Sequence, residues 1–161
     1  MVQFAFGLLY ERSAMRELLA EEDLGGVARS PLGMGILTGK LSPDSVFPAD
    51  DVRSQMDFGS GRHRMLVEWT DRVLGTLTAD GHTPAQGALA WILTTDPGVV
   101  PVPGARTEAQ AVEKAGAAGL GRLSEEQMVR LEGFRAAGIE AVRAYYRSEP
   151  DASETDGWPL R

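Results

Sequence analysis

The sequence predicts an α/β fold in which about three parallel strands carry packed helices, and three observations lead there. Short apolar, β-prone runs recur near residues 2–6, 25–29 and 98–102. Helical patterns fill the intervals between them, and a strand–helix–strand unit closes as a right-handed crossover between parallel strands. Glycine- and proline-punctuated loops follow the second and third runs, and a loop at the carboxyl end of a parallel strand is a natural seat for an anion.

Composition narrows the function classes. A chain of 161 residues has room for one domain with a respectable core. A hydrophobic content of 43% and a charged content of 24% are ordinary for a globular protein. The net charge of −7 argues against nucleic acid as the main partner, although a local basic pocket can still hold a phosphate. The absence of cysteine excludes disulfides, thiolate catalysis and thiolate metal sites. The two histidines, His63 and His82, lie outside any carboxylate cluster, so no metal site is expected and both read as surface or capping residues. No apolar run approaches the roughly 20 residues of a membrane span, and no secretory leader pattern is present, so the expected location is cytoplasmic.

The elements follow in order. Met1 to Phe6 is the first strand run, interrupted by the polar Gln3. Ser13 to Glu22 reads as an amphipathic helix with Met15, Leu18 and Leu19 facing inward and Ser13 as a candidate N-cap. Gly25-Gly26 leads into Val27 to Arg29, small residues suited to a strand interior. Leu41 to Arg62, rich in Ser, Pro, Asp and Gly, is a long loop that reads as a functional lid or as disorder. His63 to Ala79 carries a helical stripe with Trp69 as a core residue, and Thr83-Pro84-Ala85-Gln86 is a capping box opening a helix apolar nearly all round. After the Asp96-Pro97-Gly98 turn, two prolines confine the strand at Val99 to Val102. Thr107 to Gln110 and Ser124 to Gln127 repeat the capping-box pattern at the starts of two more helices. The polar, acidic stretch over 148–161 reads as a flexible tail.

Two loops carry the chemistry. In Ser30-Pro31-Leu32-Gly33-Met34-Gly35-Ile36-Leu37-Thr38-Gly39-Lys40, the proline stops the ladder and the glycines let backbone amides approach a ligand. On spacing alone an ordinary exit turn is the favoured reading. Gly104-Ala105-Arg106-Thr107 sets an arginine directly before a helix N-terminus, where amide donors, the dipole and a guanidinium converge on one anion. A plain surface arginine fits that spacing as well.

Resemblance separates these readings. The run SPLGMGILTGK resembles the segment after the seventh barrel strand of aldo-keto reductases, and VPVPGART resembles the family's eighth strand and 2′-phosphate loop. TPAQGALAWIL, between them, is similar to the helix leading into that strand. The resemblance implies an α/β arc of a (β/α)8 TIM barrel over residues 1–147, corresponding to the C-terminal part of a family member. A whole barrel takes about 250 residues. It also implies an NADP(H) cofactor and, for the complete family member, NADPH-dependent reduction of aldehydes or ketones as small-molecule substrates. Carried over by position, Gln3 meets the nicotinamide carboxamide, and Arg29 stands where many members stack an aromatic ring on the nicotinamide. Ser30, Pro31, Leu32 and Gly33 meet the pyrophosphate. Gly104, Arg106 and Thr107 meet the 2′-phosphate, and Gln110 and Glu113 the adenosine. Two departures stand out: Ala5-Phe6-Gly7 replaces a polar pattern beside the nicotinamide, and Lys114 replaces the adenine-contacting asparagine.

The family's catalytic tyrosine, lysine, aspartate and histidine sit on strands this chain does not match. Tyr10, Tyr145, Tyr146, His63 and His82 stand in other contexts. The resemblance therefore implies no catalytic residue here and no carbonyl reduction by these residues alone, with a complementary N-terminal half or self-association completing the structure. The alternative is a non-catalytic nucleotide-binding or assembly module that keeps only the cofactor loops.

Overall fold

In the computed structural model, which describes residues 1–10 and 13–148, three strands form one parallel sheet in chain order. They are β1 (Val2–Ala5), β2 (Gly26–Arg29) and β3 (Val99–Val102). The helices are α1 (Ser13–Glu21), α2 (Gly61–Leu77), α3 (Pro84–Thr95), α4 (Glu108–Ala115) and α5 (Glu125–Ser148), with 3-10 turns at Gly33–Thr38, Val52–Gln55 and Gly116–Gly119. The three expected strands are all present within a residue or two of their anticipated ends. The tail expected over 148–161 lies, beyond residue 148, outside the described residues.

Register explains which face of the sheet is covered. Val2 pairs with Gly26 and Phe4 with Ala28, and these in turn stand opposite Val99 and Pro101. Alternation puts this set on one face, where Phe4, Gly26, Ala28 and Val99 are buried. A Cβ at Gly26 would come within 3.0 Å of Val99, Leu19 and Phe4 side chains, so glycine is what lets α1 sit down on the strands. The opposite face carries Gln3, Val27, Arg29, Val100 and Val102. Val100 and Val102 are 57% and 47% exposed there. β1 and β3 are the two outer strands, each without a further strand beside it among the described residues.

The helical layer is anchored by α3. Ala85, Gly87, Ala88, Leu89, Ala90, Trp91 and Ile92 are all buried, as an all-round apolar helix requires. Thr83 caps it through a complete capping box with Gln86. Trp91 meets the Phe6 ring, which meets Phe4, at centroid separations of 5.6 Å each. α2 crosses α3 where Gly87 faces the Leu77 carbonyl, and α5 crosses α2 where Trp69 Nε1 donates to the Phe134 carbonyl at 2.7 Å. Ser124 and Gln127 form the second complete box. At Thr107 the pattern departs: its hydroxyl accepts from the Gln110 amide, but Gln110 Oε1 accepts from Arg106 N–H instead of from the cap residue. α1 begins at Ser13 itself, which is the first helical residue rather than the expected cap, and the residue before it lies outside the described residues.

Two expectations are corrected. Leu18, expected to face inward with Met15 and Leu19, is 46% exposed. His82 is not a surface residue but 7% exposed, closed in between the end of α2 and the cap of α3. His63 is half-buried, with its ring 5.6 Å from Phe58.

Candidate cofactor cleft

A cleft of about 740 Å³ opens at the carboxyl ends of β2 and β3. Three segments build it: the turn after β2, the loop from β3 into α4, and the long segment 41–60. The first is a chain of tight turns. Ser30, Gly33, Met34, Gly35 and Gly39 all adopt positive φ, between 52° and 99°. Glycine takes these angles freely, whereas at Ser30 and Met34 they carry a local strain. The amides of Gly33 and Gly35 donate to Ser30 and Leu32 carbonyls, so the turn consumes those donors itself. The Gly39 turn is held close to α2, where a Cβ would come 3.0 Å from Leu74.

The second segment ends at Thr107, whose hydroxyl caps α4. Gln86 Nε2 donates to the Glu113 carbonyl at 2.8 Å, which fixes α4 against α3. Lys114 Nζ donates to the Gly104 carbonyl and so folds the loop back on its own helix.

The third segment, expected to be a lid or disordered, has a defined path. Phe58 is buried and Phe47 packs on it at 5.8 Å. The Arg53 guanidinium lies 3.8 Å from the Phe47 ring centroid, a cation–π contact. Asp51 gathers four donors. Its Oδ1 accepts from the Arg53 amide and Nε, both at 2.9 Å, and its Oδ2 accepts from Arg53 Nη2 and Arg106 Nη2, both at 2.6 Å. The Asp51 carboxylate side chain is 6% exposed, whereas that of Arg106 is 73% exposed. The Arg53 side chain, then its amide, and also Arg106 hold the Asp51 carboxyl well below the usual carboxylate range, against the opposing effect of burial. Arg53 is correspondingly raised by its pairing with Asp51.

Charge gives the cleft its character. Lys40, Arg53, Arg106 and Lys114 line it together with Asp51 and Glu113, a local excess of two positive charges in a chain of net charge −7. Leu32, Met34, Leu41, Phe47 and Val102 supply an apolar lining. Apolar walls with a few convergent cations suit an organic phosphate.

Of the residues picked out by resemblance, Ser30, Pro31, Leu32, Gly104, Arg106, Gln110 and Glu113 line this cleft. Gln3, Arg29, Gly33 and Thr107 are not among its lining residues. Gln3 and Arg29 stand exposed on the open sheet face, Gly33 is buried in its turn, and Thr107 is engaged as a cap. The residues that sequence reasoning missed are Phe47, Asp51 and Arg53. The available signal was weak: an Asp-x-Arg pair in a loop without periodicity.

Residues 1–136 match the model of the Aldo/keto reductase family. The chain belongs to the aldo-keto reductase family. It is 33% identical over 116 residues to aldo-keto reductase str7 of Strobilurus tenacellus, covering 71% of this chain and 34% of that one. It is 30% identical over 115 residues to Schizosaccharomyces pombe aldo-keto reductase yakc, whose name carries NADP(+), covering 70% and 34%. The chain thus spans about a third of the length of these relatives. Among solved structures, glycerol dehydrogenase from Gluconobacter oxydans superposes with a TM-score of 0.71 at 22% identity, covering 85% of this chain and 42% of that one. The fold is that of part of an aldo-keto reductase (β/α)8 barrel, an arc of three parallel strands with its helices outside.

On an aldo-keto reductase barrel wall, the exposed face of Gln3, Val27, Arg29, Val100 and Val102 is the one turned toward the barrel axis. Among the described residues no cluster of His, Asp or Glu is arranged to hold a metal, and no helix is long and apolar enough to cross a membrane.

Proposed function

We propose that these residues are the NADP(H)-binding part of an aldo-keto reductase whose complete form reduces aldehydes and ketones with NADPH. The observation that carries this is the single cleft shared by the two loops, with its local excess of positive charge in an acidic chain. The residues present fit the cofactor's phosphates. Arg106 presents an exposed guanidinium at the N-terminus of α4, and Lys114 and Lys40 stand in the same cleft. Ser30, Pro31 and Leu32 form the wall that would receive the pyrophosphate, Arg106 the 2′-phosphate, and Gln110 and Glu113 the adenosine. Gln3 and Arg29 lie toward the barrel axis, on the side where the nicotinamide would sit. Bound there, NADPH supplies a hydride for a carbonyl carbon.

The proton that completes such a reduction needs an acid, and among the described residues none of the cleft's lining side chains is a tyrosine or histidine that would supply it. We therefore read these residues as inactive without further strands of a barrel. The outer edges of β1 and β3, and the apolar patch of Val27, Val100 and Val102, suit either a complementary N-terminal half or a second copy of this chain. The same open edges favour the second reading, an assembly module that keeps a nucleotide cleft without catalysis. The expected location is cytoplasmic.

Titration calorimetry with NADPH and NADH tests the cofactor reading. NADPH binds more tightly than NADH, because a charge-assisted contact to the 2′-phosphate contributes about 1.5–3 kcal/mol. Arg106→Ala removes most of that preference and leaves NADH affinity nearly unchanged. Equal affinities for the two cofactors in the parent chain mean that Arg106 is only a surface arginine.

A further inference from the structure

We propose that Asp51 determines how strongly this cleft prefers a 2′-phosphorylated nucleotide, because its carboxylate already sits as an internal anion on Arg106, the seat that the phosphate must take. The inference rests on the cofactor reading and deepens it. Arg106 has one hydrogen-bonding partner for its guanidinium among the described contacts, Asp51 Oδ2 at 2.6 Å, and that oxygen is shared with Arg53 Nη2. A carboxylate and a phosphate present the same pair of acceptor oxygens to a guanidinium fork. An incoming 2′-phosphate therefore replaces Asp51 on Arg106, while Asp51 keeps Arg53.

The construction allows this exchange. Arg53 holds Asp51 through its amide, Nε and Nη2, so the carboxylate has a secure partner after Arg106 leaves. Arg53 is itself seated on Phe47, and Phe47 on the buried Phe58. Segment 41–60 thus acts as a strap whose aromatic residues anchor it in the core and against His63 of α2, with Asp51 as the latch to Arg106. Releasing the latch leaves the strap anchored and frees a guanidinium for the ligand. With the carboxylate in place, the seat on Arg106 is partly neutralised and binding of the 2′-phosphate is weakened.

The test measures binding of NADPH, NADH and 2′-AMP to the parent chain, Asp51→Asn and Asp50→Asn. Asparagine keeps an oxygen to accept the Arg53 amide and Nε, and loses the charge together with the acceptor that Arg53 Nη2 and Arg106 Nη2 share. Asp50 is exposed on the same strap and controls for net charge. Asp51→Asn tightens NADPH and 2′-AMP about fivefold, the weight of one unit charge at contact distance in water, and leaves NADH unchanged; Asp50→Asn changes neither. Asp51→Ser, which also keeps a hydroxyl acceptor at the turn, moves the affinities the same way, and melting curves establish that each variant is folded. If Asp51→Asn weakens NADPH, tightens NADPH and NADH alike, or is matched by Asp50→Asn, the latch is refuted while the cofactor reading stands. If no nucleotide binds parent or variant, both fall together.

Discussion

Gly87→Ala and Gly75→Ala make the same chemical change on two neighbouring helices and have opposite outcomes. At Gly87 in α3, an added Cβ would lie 2.1 Å from the Leu77 carbonyl oxygen, 2.8 Å from its carbon and 2.9 Å from its Cα. All three are backbone atoms at the end of α2, so no side chain can rotate away. The two helices must separate by roughly 1 Å, in an interior packed at crystal density. Overpacking of this kind costs about 1–3 kcal/mol, against a gain of about 0.5–1 kcal/mol from replacing glycine in a helix. At Gly75, on the exposed side of α2, nothing lies within 4 Å of the new Cβ and only the gain remains. With a shift of about 2–4 °C per kcal/mol for chains of this size, Gly87→Ala lowers the melting temperature by several degrees and Gly75→Ala raises it by one to a few, by roughly the same conversion. Circular dichroism melts of the three proteins decide it. Equal shifts for the two variants, or a stabilised Gly87→Ala, would falsify the close crossing of α2 and α3. Because Ala85 lines the cleft and Gln86 ties α3 to α4, Gly87→Ala also weakens NADPH binding.

Two further outcomes follow from the strap and the open sheet. The Asp51 carboxyl is lowered by Arg53 and Arg106, and Asp57 by the Ser60 hydroxyl and the Gly59 amide. Each contributes stability that is present above the ordinary carboxylate value of 3.8 and is lost as the pH falls below it toward the folded-state value. The melting temperature of the parent chain therefore falls more steeply below about pH 4 than that of Asp51→Asn, and parallel profiles count against the pairing of Asp51 with Arg53 and Arg106. The exposed Val100 and Val102, beside strand edges that no other strand pairs among the described residues, are expected to favour association. Light scattering at micromolar concentration should give dimers or larger species, and Val100→Lys should shift them toward monomer; a clean parent monomer contradicts this.

What the sequence disclosed and what it hid follow from the range of the forces involved. Helix starts are local: Thr83 and Ser124 each find their glutamine three residues on, so both boxes are legible from spacing and both form. Thr107 shows where local reading ends, because Gln110 has two amides within reach and takes that of Arg106. The strands are legible because Val99 to Val102 is boxed between turns, and because parallel strands need a helical crossover between them. His82 was misread because nothing in Gly81-His82-Thr83 tells whether a ring turns outward or under two converging helices. Asp51 was missed for a related reason. Its partner Arg106 lies 55 residues away, and a single acidic residue among several in a Ser/Pro/Asp-rich loop carries no periodic mark. Arg106 itself stands in a local pattern, a cation before a helix N-terminus, which on spacing alone fits a plain surface arginine equally well and which resemblance singles out; it lines the cleft. The carboxylate paired with it comes from another segment of the fold. Under the proposed cofactor reading that division locates specificity: the motif would supply the anion seat, and the loop with no motif would decide how readily a phosphate takes it.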